Sequence, residues 1–124
     1  MVTSHGFRDL KVYQLGFELA MQIFEESKHF PREEIYSLTD QVRRSSRSVA
    51  TNVGEGYRKK RYSKMFVSKM ADADGEGTET QVWLDFAERC GYISKRRQIE
   101  LVSGYEEVGR MLGSMIQHPE RFTI

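Results

Sequence analysis

Cysteine occurs once and proline twice in this chain of 124 residues, and no apolar run approaches a membrane-spanning length, which is roughly 20 residues. The lone cysteine, Cys90, excludes an intramolecular disulfide framework and suits a reducing compartment. With so little proline, and with 39% hydrophobic against 30% charged residues, the chain is neither fibrous nor disordered. The opening Met1–Gly6 has neither the basic nor the apolar region of a secretory signal. These absences predict a soluble, cytoplasmic protein with no membrane partner. Residues 1–124 are expected to form a single domain, since a chain of this size buries roughly two-thirds of its unfolded surface without staples.

Catalytic signatures are missing as well. His5, His29 and His118 are scattered, and none has a second metal-type ligand at helical spacing. Gly54-Glu55-Gly56 and Gly75-Glu76-Gly77 have no preceding strand and no following lysine–serine pair, so neither is a phosphate loop or a dinucleotide turn. Asp72, Glu76 and Glu79 share a helical face, but a di-metal centre would need Glu-x-x-His pairs on other helices, and the chain has none. A solvated face or inter-subunit salt bridges are the expected use of these acids. Cys90, close in sequence to Trp83, Phe86 and Ala87, is expected to pack in the core rather than act as a nucleophile. The reading is a protein that is not an enzyme, with no cofactor, no metal and no small-molecule substrate.

What is present is helical periodicity. Four apolar patterns run from about Asp9 to Lys28, from after Pro31 to about Tyr57, from about Tyr62 to Arg89 and from about Lys95 to Gln117. Asp9 is the expected N-cap of the first. This first helix carries two apolar stripes, Leu10, Tyr13, Phe17, Ala20 and Phe24 on one side and Val12, Leu15, Leu19 and Ile23 on the other. A helix apolar on two faces needs cover on both, which points to an oligomer. The second helix has a seam of Ile35, Leu38, Val42, Val49 and Val53. The third buries Phe66, Met70, Ala73, Leu84 and Ala87, with a kink or close contact expected at Gly75 and Gly77. Gly91–Ser94 reads as a C-cap and turn, and the fourth helix turns Val102, Tyr105, Gly109, Leu112 and Ile116 inward. The expected fold is all-α, an up-down-up-down antiparallel four-helix bundle.

Charge is unevenly spread. From Arg43 to Lys69 there are nine Lys or Arg residues and a single acid, Glu55; from Met70 to Cys90 there are six acids and one base. On a helical wheel Arg43, Arg47, Arg58 and Arg61 share a face away from the apolar seam, and between them lies a polar strip of Gln41, Ser45, Ser48, Asn52 and Glu55. That strip reads either as an exposed flank or as a close, hydrogen-bonded helix-packing or subunit contact.

The stretch Glu34-Ile35-Tyr36-Ser37-Leu38-Thr39-Asp40-Gln41-Val42-Arg43-Arg44, continuing to Asn52-Val53-Gly54-Glu55-Gly56, resembles the signature of the 23S rRNA intervening-sequence proteins, also called the four-helix-bundle protein family. Phe7-Arg8-Asp9-Leu10-Lys11-Val12-Tyr13, Phe30-Pro31 and Glu79-Thr80-Gln81 fit the same pattern, so the resemblance covers nearly the whole chain. It implies a small bundle assembled as a ring-like homopentamer, and a gene class sometimes found inside intervening sequences of bacterial large-subunit ribosomal RNA genes. It implies no established activity. The chain departs from the family pattern at Gly77, which stands where a glutamate is usual and removes the basis for a polar contact there.

Two functions follow as expectations. One is RNA binding, with Arg43, Arg44, Arg47, Arg58, Lys59, Lys60, Arg61 and Lys64 tracking phosphates and Tyr57 and Tyr62 available for base stacking. Arg43 and Arg44 have a second reading, as partners of third-helix acids on a neighbouring subunit. The other function is that of a structural or adaptor homo-oligomer that presents surfaces to another protein.

Overall fold

The computed structural model describes residues 6–122 and contains four α-helices, with no strand among the described residues. They are α1 (Lys11–Ser27), α2 (Leu38–Arg58), α3 (Ser63–Arg89) and α4 (Lys95–Gln117). Short 3-10 turns at Gly6–Asp9, Arg32–Glu34 and Pro119–Arg121 precede α1, precede α2 and follow α4. His5 lies outside the described residues.

Contacts between helices fix the direction of each. Gly16 meets Val49 while Gly54 meets Phe7, so α1 and α2 are antiparallel. Ser45 bonds Thr80 while Glu55 pairs with Lys69, which sets α2 against α3 in the same sense. Asp85 bonds Gln98 and Gly77 lies against Tyr105, so α4 runs back along α3, and the Arg97–Glu26 pair closes α4 onto α1. The order is up-down-up-down, with each helix touching its two neighbours around a shared core.

The helix ends show how local chemistry sets the boundaries. Asp9 ends the first 3-10 turn, and Leu10, which offers no side-chain cap, occupies the N-cap of α1. The expectation for Asp9 is corrected by one residue. The start of α2 also moves, from just after Pro31-Arg32 to Leu38. Pro31 opens a 3-10 turn instead, and the Glu34 carboxylate accepts from the Ser37 hydroxyl and from the Leu38 N–H, stopping one segment and capping the next. Ile35 therefore falls before the helix and is half exposed rather than part of the seam. At the other end of the bundle's third helix Gly91 has φ +80°, and Tyr92 and Gly91 donate to the carbonyls of Ala87 and Glu88. This is a Schellman stop, in which a side chain at Gly91 would be strained. Ser94 then caps α4 by accepting from the Arg97 N–H.

The core is built by Val12, Leu19 and Ile23 of α1, Val42, Val49 and Val53 of α2, Phe66, Met70, Ala73, Leu84 and Ala87 of α3, and Leu101, Tyr105, Val108, Leu112 and Met115 of α4. Most of the second stripe of α1 is thus inside, with Leu15 partly buried, while of the first stripe Ala20 is buried and Phe17 remains half exposed. On α4 the inner face is rotated from the expected one. Leu101, Val108 and Met115 are buried, whereas Val102, Gly109 and Ile116 are only partly so. Wheel positions one residue apart differ by about 100°, and only the packing of α1 and α3 selects between them. α3 runs unbroken through Gly75 and Gly77. Gly77 is buried against Tyr105 and Val49, while Gly75 faces open space.

Candidate nucleic-acid interface

The structure divides the predicted basic site into two groups with different surroundings. Arg43 and Arg44 lie near the start of α2 and are already partnered. Arg43 Nε donates to Ser27 Oγ at 2.7 Å, and its guanidinium lies 4.9 Å from the Phe24 ring centre, which fastens the end of α1 to α2. Arg44 donates to Glu76 at 3.4 Å and forms a shorter bond to Glu79, both on α3 of the same chain. The inter-subunit pairing foreseen for these arginines is thus met within one chain for Arg44, and Arg43 has a serine and an aromatic ring as its partners. Burial raises the pKa of Glu76, the Arg44 charge opposes that rise and the neighbouring Glu79 carboxylate adds to it.

The second group surrounds the α2–α3 turn. Arg58, Arg61 and Lys64 are exposed and Lys59 is partly so, and none of the four makes a salt bridge among the described residues. Lys60 is held differently. Its Nζ donates to the Tyr57 hydroxyl at 3.2 Å and lies 4.4 Å from the ring centre, so it covers one face of that ring. Base stacking on this face of Tyr57 is blocked by that cation, whereas Tyr62 is 61% exposed. Arg47, also exposed and without an ion pair, stands between the two groups, 5.8 Å over Phe24.

Sequence reasoning missed Arg8. The N-terminal 3-10 turn packs Phe7 against Gly54, and Arg8, 4.5 Å over the Phe7 ring, joins Tyr57, Arg58, Lys60 and Arg61 around a cavity of about 390 Å³. The only sequence signal for this was the Phe7-Arg8 pair itself. Its position against α2 is a tertiary contact across some fifty residues, and no periodicity reports it.

The polar strip lies along the α2–α3 side of the same chain. Ser45 is fully buried and takes a 2.8 Å bond from Thr80, and Glu55 binds Lys69 at 2.7 Å, the bond that raises the Lys69 pKa. Asn52 donates back to Ser48 within α2, and Gln41 accepts from Arg44 at 3.5 Å. Cys90 is exposed, which corrects the expectation that it packs in the core. It caps α3 beyond Ala87, the last buried position of that helix. No group of three or more His, Cys, Asp or Glu side chains that could hold a metal occurs among the described residues. None of the described helices is long and apolar enough to cross a membrane.

Four antiparallel helices, a polar α2–α3 contact and a basic end define a small all-α bundle protein. Residues 8–114 match the family described as 23S rRNA-intervening sequence protein, and the chain belongs to that family. A crystal structure of a protein with unknown function from the S23 ribosomal protein family of Bacteroides thetaiotaomicron superposes with a TM-score of 0.77 at 25% identity, covering 85% of this chain and 97% of the other. No curated protein matches the chain.

Proposed function

We propose that this protein binds RNA through the basic end of the bundle, acting by recognition rather than catalysis and assembling as a ring-like homopentamer. The observation that carries the reading is the set Arg58, Lys59, Arg61 and Lys64, four cations gathered at one turn with no salt-bridge partner among the described residues. Cations that stabilise a fold are normally met by acids, as Arg44 and Arg97 are here. Unpaired cations clustered beside an exposed tyrosine suit a phosphate backbone with an unstacked base. Repetition of the patch around a ring multiplies a weak contact by avidity.

The test is RNA affinity measured by fluorescence anisotropy across a salt series. Affinity should fall steeply with log salt, and the triple variant K59A/R61A/K64A should reduce the slope by about 2. An unchanged slope overturns the reading.

A second reading, an adaptor or scaffold for another protein, draws on the half-exposed Phe17 and Met21 of α1. A preparation free of nucleic acid that gains no RNA at low salt would favour it.

A further inference from the structure

Two apolar surfaces lie on opposite sides of the bundle. The first is a groove of about 550 Å³ between α1 and α2, walled by Phe17 and Met21 over Ala50 and Gly54. Phe17 is 50% and Met21 44% exposed. The second is on the α3–α4 side, where Val82 and Phe86, one turn apart on α3, are 45% and 54% exposed.

Each surface carries a pair of like charges, of opposite sign and equal spacing, with Glu55 also at the groove and Glu88, Arg89 and Lys95 also at the α3–α4 face. Arg47 and Arg58 stand at the groove, eleven residues apart on one face of α2. Asp74 and Asp85 are exposed, also eleven residues apart on one face of α3, beside Val82 and Phe86. Eleven residues make three helical turns and span about 16 Å in each case. None of these four side chains makes a salt bridge among the described residues.

We infer that the α1–α2 groove of one copy receives the Val82–Phe86 face of α3 from a second copy, with Arg47 and Arg58 set against Asp85 and Asp74. Neither surface suits contact with itself. Groove on groove brings arginines together, and α3 on α3 brings aspartates together, and like charges at a closing interface are costly. Because the two surfaces differ and lie on opposite sides, the contact is head-to-tail, the kind that continues from copy to copy until it closes in a ring. The inference rests on the self-association reading above and supplies the two surfaces that carry it. It takes Arg58 into the contact and leaves Lys59, Arg61 and Lys64 as the cations free to meet RNA.

Two variants and their mixture test it by light scattering. F17D spoils the groove and keeps the α3 face; F86D does the reverse. Both positions are half exposed, so the fold should survive, as circular dichroism would show. Each variant alone should fall from the parent mass to that of one chain, 14.5 kDa. An equimolar mixture should recover a two-chain complex, because one intact groove and one intact α3 face remain. Charge reversal provides a second route. R47E/R58E should dissociate the assembly, and adding D74R/D85R in the same chain should restore it. A parent protein with single-chain mass overturns self-association altogether. A parent oligomer whose mass survives F17D and F86D leaves self-association standing and overturns this choice of surfaces. A mixture that stays at 14.5 kDa likewise overturns the head-to-tail pairing.

Discussion

Thr80 Oγ1 lies 2.8 Å from Ser45 Oγ and 2.8 Å from the Glu76 carbonyl, and both side chains are fully buried. This hydroxyl pair joins α2 to α3 at the centre of their contact, where serine is small enough to let the helices approach. A buried hydroxyl that loses its partner costs about 1–3 kcal/mol, while replacing both partners is less harmful. Thr80→Val should therefore destabilise the protein by about 1–2 kcal/mol. The double variant Ser45→Ala/Thr80→Val should cost less than the sum of the two single changes, as read from urea unfolding in a double-mutant cycle.

Two glycines should respond in opposite directions. A β-carbon at Gly56 would meet Met70 Cε at 2.5 Å and Lys69 Cβ at 2.8 Å, whereas one at Gly75 meets nothing within 4 Å. Both sit inside helices, where alanine is favoured over glycine by about 1 kcal/mol. Gly75→Ala should raise thermal stability by about that amount. Gly56→Ala should lower it by about 1–3 kcal/mol because the α2–α3 approach must open.

The Tyr92 hydroxyl donates to Glu34 at 2.8 Å, tying the α3–α4 turn to the segment before α2. This bond, with some desolvation, pushes the Tyr92 pKa up from 10.0 to about 12. The stabilisation is present below pH 10 and is lost as pH rises from 10 toward 12. Glu34 is shifted the other way, held below its ordinary value of 4.5 by hydrogen bonds from Ser37 and then Tyr92. Its contribution is present above pH 4.5 and is lost as pH falls through the lowered value. Denaturation midpoints across pH should show both losses, and Tyr92→Phe should flatten the alkaline one.

Arg44 distinguishes a structural cation from a binding one. Its guanidinium is committed to Glu76 and Glu79. Arg44→Ala should leave RNA affinity and its salt slope unchanged, in contrast to K59A/R61A/K64A. Its stability cost should stay near 1 kcal/mol or below, since the pair is partly exposed. A loss of RNA affinity in this variant would show that Arg44 leaves its acids to bind phosphate.

Much of the fold was legible because its signals are local. Helix periodicity, Pro31, Gly91 and Ser94 each act within a few residues, and the four helices and the α3–α4 turn follow from them. The start of α2 was misplaced for a local reason too. Glu34 reads as a first-turn acid, but its carboxylate caps Leu38 from outside the helix. The basic site was legible only as a list of cations. Arg43, Arg44 and Arg61 look alike in sequence. They differ because Ser27, Phe24, Glu76 and Glu79 stand beside the first two.

Composition, periodicity and turn chemistry by themselves determined a four-helix, all-α chain with a basic α2 and an acidic α3. Tertiary structure alone decided which stripe of α1 is inside, that Arg44 is held by α3 acids 32 and 35 residues away, and that Arg8 joins the basic end. A helical wheel tells which residues share a face, because that depends on backbone geometry alone. What covers the face depends on which helix packs there, and that is settled by the fit of the whole core.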